Sequence, residues 1–97
     1  MDLRKIVTDL RERVDALPKI DLSRDDLMEQ HRALRQAAED LGQYLSACYG
    51  AKIAQRPNVS RIGMQKISAT STMGLVGALR NWITAAEKRL NEQRYNQ

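Results

Sequence analysis

Seven residues of this chain, Leu27, His31, Leu34, Ala38, Leu41, Leu45 and Cys48, recur in alternating steps of four and three without a miss. All but His31 are apolar or small. That rhythm is a heptad seam, the narrow stripe of a coiled-coil or bundle helix. Its start is signalled as well. Ser23 suits an N-cap, Asp26 is a shortened capping-box partner, and Leu22 and Leu27 stand at the hydrophobic-staple positions. Asp25 and Asp26 sit where the helix dipole favours negative charge. Gly50 suits a C-terminal cap, with a continuation through Ala51–Gln55 to Pro57 as the alternative. A helix from Ser23 to Gly50 is about 40 Å long, more than the breadth of a compact globule of this size. The seam must therefore be covered by the rest of the chain, by a partner, or by a second copy.

The flanking segments extend the helical reading. Leu3, Ile6, Val7, Leu10, Val14 and Leu17 form one stripe, which predicts a helix from Asp2 to about Ala16 that stops before Pro18. Lys5, Asp9 and Arg13, and Arg11 with Asp15, are spaced as exposed ion pairs on its other side. Near the C-terminus, Leu75, Val76, Leu79, Trp82, Ile83, Ala86 and Leu90 share one sector at 100° per residue. Val59, Ile62, Met64 and Ile67 do not share its phase. This predicts a short helix over Val59–Ile67, a turn at Ser68–Ser71 rich in N-cap residues, and a long helix from Thr72 to Arg94. One continuous kinked helix is the alternative. The fold expected is a single all-α domain: an elongated bundle of three long helices and one short one. With 97 residues there is room for one core, and five glycines and two prolines are too few for an all-β chain.

Chemistry is sparse. The single cysteine, Cys48, rules out an intramolecular disulfide. The only histidine, His31, lies seventeen residues away on the same predicted helix, roughly 25 Å off, so the two cannot form a dyad within one chain. Both are read as packing residues on the seam. No Cys or His pair has metal-ligand spacing, and Gly74 and Gly77 lack the context of a phosphate loop. No catalytic residue, metal or cofactor is expected. There is no membrane-spanning run and no signal-peptide pattern, so a soluble cytoplasmic protein is expected.

Charge is the informative property. Residues 1–50 carry eight basic and ten acidic side chains, whereas residues 51–97 carry eight basic and two acidic. Between Asp40 and Glu87 no carboxylate side chain occurs, and the interval contains Lys52, Arg56, Arg61, Lys66 and Arg80. These five are the candidate binding patch, an electrostatic footprint for a nucleic acid or an acidic protein. A sequence-reading helix-turn-helix fits poorly, because Thr72–Gly77 offers no side chain for base edges. The small residues Ser68–Thr72, Gly74, Gly77 and Ala78 are read as a tight internal contact.

The function expected first is a non-enzymatic interaction protein that binds a protein partner, as an adaptor, chaperone-like factor or inhibitor. It would self-associate, most simply as a homodimer, through the seam Leu27, His31, Leu34, Leu41 and Leu45. The alternative is a small nucleic-acid-binding protein that contacts phosphates through residues 52–80.

Overall fold

The computed structural model describes residues Asp2–Tyr95. Two helices, α1 (Leu3–Asp15) and α2 (Leu27–Tyr49), precede three strands, β1 (Lys52–Arg56), β2 (Val59–Met64) and β3 (Ile67–Ser71), and a last helix, α3 (Gly74–Tyr95), closes the chain. The strands form one antiparallel sheet in the order β1-β2-β3. The all-α bundle is thereby overturned. The segment expected to be a short helix over Val59–Ile67 is a β-hairpin, the Ser68–Ser71 turn is most of β3, and the single kinked helix is excluded with it.

The reason lies in the residues that broke the helical phase. Ser60, Ile62 and Met64 are buried in β2, and Ile67 and Ala69 are buried in β3, each two apart. That is the alternation of a strand whose one face meets a core. The register pairs Ile53 with Ile62 and Ile62 with Ala69, so these apolar side chains share one face. Pro57-Asn58 and Gln65-Lys66 close the two hairpins.

Helix α3 crosses that inner face and packs against β2, β3, α1 and α2. Its pivot is Trp82, fully buried, whose indole N–H donates to the carbonyls of Met64 (3.1 Å) and Ile67 (3.2 Å). A buried indole needs such a partner. Here it fastens the helix to both sides of the β2–β3 turn. Gly77 permits the close approach of α3 to Ser71, where a Cβ would collide with that serine's side chain. Of the small-residue run, Ala69, Ser71, Gly77 and Ala78 thus make an internal contact, whereas Ser68, Thr70, Thr72 and Gly74 are exposed.

Helix α1 follows the predicted stripe, burying Ile6, Val7, Leu10 and Val14. Its polar side is partly recruited. Arg13 pairs with Asp9 at 2.9 Å, while Arg11 reaches Glu87 of α3 at 3.3 Å rather than Asp15. Asp9 also accepts hydrogen bonds from Tyr44 (2.7 Å) and Tyr49 (2.5 Å) of α2, and the Arg13 guanidinium lies 3.7 Å from the centre of the Tyr44 ring. The two tyrosine donors clamp α1 to α2, and Arg13 of α1 completes the hydrogen bonds to the carboxylate. The hydrogen bond from Tyr49, then that from Tyr44, holds the Asp9 carboxyl below its ordinary value. The same bond to Asp9 pushes the Tyr49 phenol well above the usual range.

Helix α2 divides in two. Its C-terminal half buries Ala38, Leu41, Gly42 and Leu45, and it ends on Gly50 in the left-handed conformation (φ 69°), as the cap reading expects. Its N-terminal half projects. Leu27 and Met28 are 36% and 81% exposed, His31 is exposed, and Leu34 is half-buried. The molecule is accordingly elongated, 52 × 25 × 23 Å, with a radius of gyration of 14.4 Å. A compact chain of this length has about 12.5 Å. The start also differs from expectation. The N-cap is Asp26, Leu22 is exposed rather than stapled, and Ser23 donates to Asp21 within the preceding loop. Gln30 ties that loop down through Asp21 and Asp26.

Candidate nucleic-acid interface

Alternation in the strands sends one set of side chains inward and leaves the other set on an open face. Lys52, Ala54 and Arg56 of β1, Val59, Arg61 and Gly63 of β2, and Ser68 and Thr70 of β3 form that outer face. All are exposed except Val59 and Gly63, which are half-buried. No helix covers them. The end of the face toward the β2–β3 turn is a shallow concavity of about 550 Å³, whose lining includes Lys52, Ala54, Arg61, Gly63, Lys66 and Ser68 but not Arg56.

The sheet thus brings together four of the five cations singled out in the sequence. Arg61 faces Ala54 across the strand pair, between Lys52 and Arg56, and Lys66 stands at the β2–β3 turn. Arg80 does not join them. It lies exposed on α3, in the layer behind the sheet, and does not line the concavity. None of the four takes part in a salt bridge among the described residues, whereas Asp9, Asp26, Glu29 and Glu87 are each paired elsewhere. The only side-chain hydrogen bond among them is a long one from Arg61 to the Ser68 hydroxyl, 3.5 Å. Their positive charge is unneutralised by the protein itself.

The turn that presents Lys66 is unusual. Gln65 (φ 54°) and Lys66 (φ 64°) both occupy the left-handed region, the geometry of a two-residue hairpin turn that ordinarily selects Asn and Gly. Each non-glycine residue there costs roughly 1 kcal/mol. The surrounding structure holds the turn in place: Trp82 takes the carbonyls on either side, and Arg89 reaches the carbonyls of Gln65 and Lys66 at 3.5 Å each.

The other candidates are placed differently. The seam residues Leu41 and Leu45 are core of the same chain, while Leu27, His31 and Leu34 lie on the projecting half of α2. His31 and Cys48, read as packing residues, are both exposed. They remain far apart along one helix. Among the described residues no group of three or more His, Cys, Asp or Glu is arranged to hold a metal ion. Among the described residues no helix is long and apolar enough to cross a membrane.

Sequence reasoning found the cations but not the surface that unites them. It missed the neutral members, Ala54, Gly63, Ser68 and Thr70, whose small size keeps the face flat. Their signal was the two-residue spacing of Ala54 and Arg56, of Arg61 and Gly63, and of Ser68 and Thr70. Comparison with protein families, with curated proteins and with solved structures finds no match to this chain.

Proposed function

We propose that this protein is a non-enzymatic nucleic-acid-binding protein that contacts phosphates through the outer face of its sheet. The observation that carries this reading is the gathering of Lys52, Arg56, Arg61 and Lys66 on one exposed, carboxylate-free face. Four cations without a carboxylate partner among the described residues favour a polyanion, because each phosphate neutralised releases counterions into solution. Between the cations the face carries only short side chains, Ala54, Val59, Gly63, Ser68 and Thr70, so a sugar–phosphate backbone can approach closely. No side chain on the face is placed to discriminate bases in a groove, so contact is independent of sequence. Affinity follows from the contact number: weak at physiological salt, and readily measured at low salt.

The test is retardation or fluorescence anisotropy with mixed-sequence DNA and RNA at low and rising salt. Binding should weaken steeply as salt increases, and charge reversal at Lys52 and Arg61 together should abolish it. Absence of binding to any nucleic acid at low salt contradicts the reading.

A second reading is a protein partner or a second copy on the projecting half of α2. It is favoured by the exposure of Leu22 (79%), Met28 (81%) and Met73 (85%) and by a concavity of about 280 Å³ bounded by His31, Leu34, Met73 and Val76. Light scattering at micromolar concentration tests self-association there: a dimer broken by Leu34→Glu supports it, and a monomer removes it.

A further inference from the structure

We infer that the ligand of the sheet face is duplex DNA, held along the phosphates of one strand. The inference rests on the phosphate-binding reading above and adds two observations to it.

The first is spacing. Lys52 pairs with Gly63, Ala54 with Arg61, and Arg56 with Val59. Along the strand direction, Arg61 therefore stands two residues beyond Lys52, and Arg56 two residues beyond Arg61. Each step is about 6.8 Å in an antiparallel sheet, and the sideways offset of Arg61 is one strand, about 4.8 Å. Lys66 continues the row at the other end, because its turn lies beyond the Met64–Ile67 pair. The backbone positions of Lys52, Arg61 and Arg56 therefore follow one another at about 8 Å in a zigzag, with Lys66 beyond Lys52 at the turn. That run approaches the separation of successive phosphates along one strand of B-form DNA. The flexible lysine and arginine stems take up the remaining offset.

The second is what the face lacks. A single strand gains much of its affinity from bases stacked on aromatic side chains. None of the residues on the outer face is aromatic. Tyr44 and Tyr49 are engaged with Asp9, and Trp82 is sealed in the core. Between the cations a splayed base would find only Ala54, Val59, Gly63, Ser68 and Thr70. A duplex stacks its own bases and presents its phosphates on a rigid track, so a face built only for phosphates captures it with less ordering. A shallow face also leaves the deep groove of an RNA duplex unentered and its hydroxyl-lined shallow groove unclamped.

The test measures affinity for duplex DNA, duplex RNA and single-stranded DNA of equal length, each at 50 and 200 mM salt. Three to four phosphate contacts predict a slope of log affinity against log salt of about −2.7 to −3.6 on duplex DNA. That is a loss of roughly forty- to 150-fold between the two salt concentrations. Lys52→Gln, Arg61→Gln and Lys66→Gln should each reduce the slope by about 0.9, while Arg80→Gln leaves it unchanged. An unchanged melting temperature shows that each variant is folded. Single-stranded DNA binding as tightly as the duplex overturns the inference and leaves the phosphate-binding reading standing. Preference for duplex RNA does the same. An Arg80 effect equal to that of Arg61 overturns the assigned row. No binding to any of the three removes the phosphate-binding reading itself.

Discussion

The two faces of one small sheet have opposite roles. On the inner face Ile62, Met64, Ile67 and Ala69 lie against α3, at most 9% exposed, with Trp82 pinned to the backbone between them. On the outer face, the alternate residues of the same sheet are exposed or half-buried, and every charge among them is positive. A period of two divides stability from binding residue by residue. Neighbours such as Arg61 and Ile62 should therefore be mutable with independent consequences. That independence can be broken in graded ways.

The largest effect belongs to Trp82→Ala. It empties the centre of the inner face and leaves the Met64 and Ile67 carbonyls without their donor, so thermal or urea unfolding should show a loss of about 3–5 kcal/mol. Binding should fall only through loss of folded protein. Next comes the adjacent pair. Ile62→Ala should cost about 2–5 kcal/mol, whereas Arg61→Ala should change stability by less than about 0.5 kcal/mol while weakening nucleic-acid binding several-fold. If Arg61→Ala destabilises as Ile62→Ala does, the division of faces fails.

A third prediction concerns pH and a region remote from the sheet. The lowered pKa of Asp9 means that its clamp contributes fully above the ordinary carboxyl value of 3.8 and is lost as pH falls through the depressed folded value. The raised pKa of Tyr49 acts at the other end: its contribution is present below the unfolded phenol value, about 10, and is lost as pH rises through the folded one. Melting temperatures of the wild type and Asp9→Asn should thus differ most near neutrality and converge in strong acid. The affinity of the sheet face should not follow that difference. The smallest effect concerns the β2–β3 turn. Replacing Gln65-Lys66 by Asn-Gly should stabilise the fold by about 0.5–1 kcal/mol and remove one phosphate contact. A gain in stability with unchanged salt dependence would take Lys66 out of the binding row.

What could be read from the sequence depended on which period each segment used. The stripes of α1 and α3 recur every three to four residues, and Gly50 marks the end of α2, so those elements were legible to within a few residues. The sheet was not. Its strands are only five or six residues long, and its second turn is Gln65-Lys66 instead of a residue pair that advertises a hairpin. Ser68–Ser71 resembled a string of N-caps because serine and threonine serve both caps and strands. The alternation of Ile62 with Met64, and of Ile67 with Ala69, was present, but it showed only as a broken helical phase. The charge asymmetry was legible in full. What the sequence lacked was the hairpin register that sets Arg61 between Lys52 and Arg56 and excludes Arg80. The seam of α2 misled in a different way. Its spacing is uniform, yet only its C-terminal half, Ala38, Leu41 and Leu45, is buried in the core, while Leu27 and His31 stay exposed.

The central claim is that the outer face of the sheet is the binding surface, and residue-resolved NMR tests it most directly. On titrating labelled protein with a short mixed-sequence DNA duplex at low salt, amide resonances of Lys52, Ala54, Arg61, Gly63 and Ser68 should shift together in a single salt-sensitive isotherm. Shifts confined to the projecting half of α2, or none along the strands, would contradict the account.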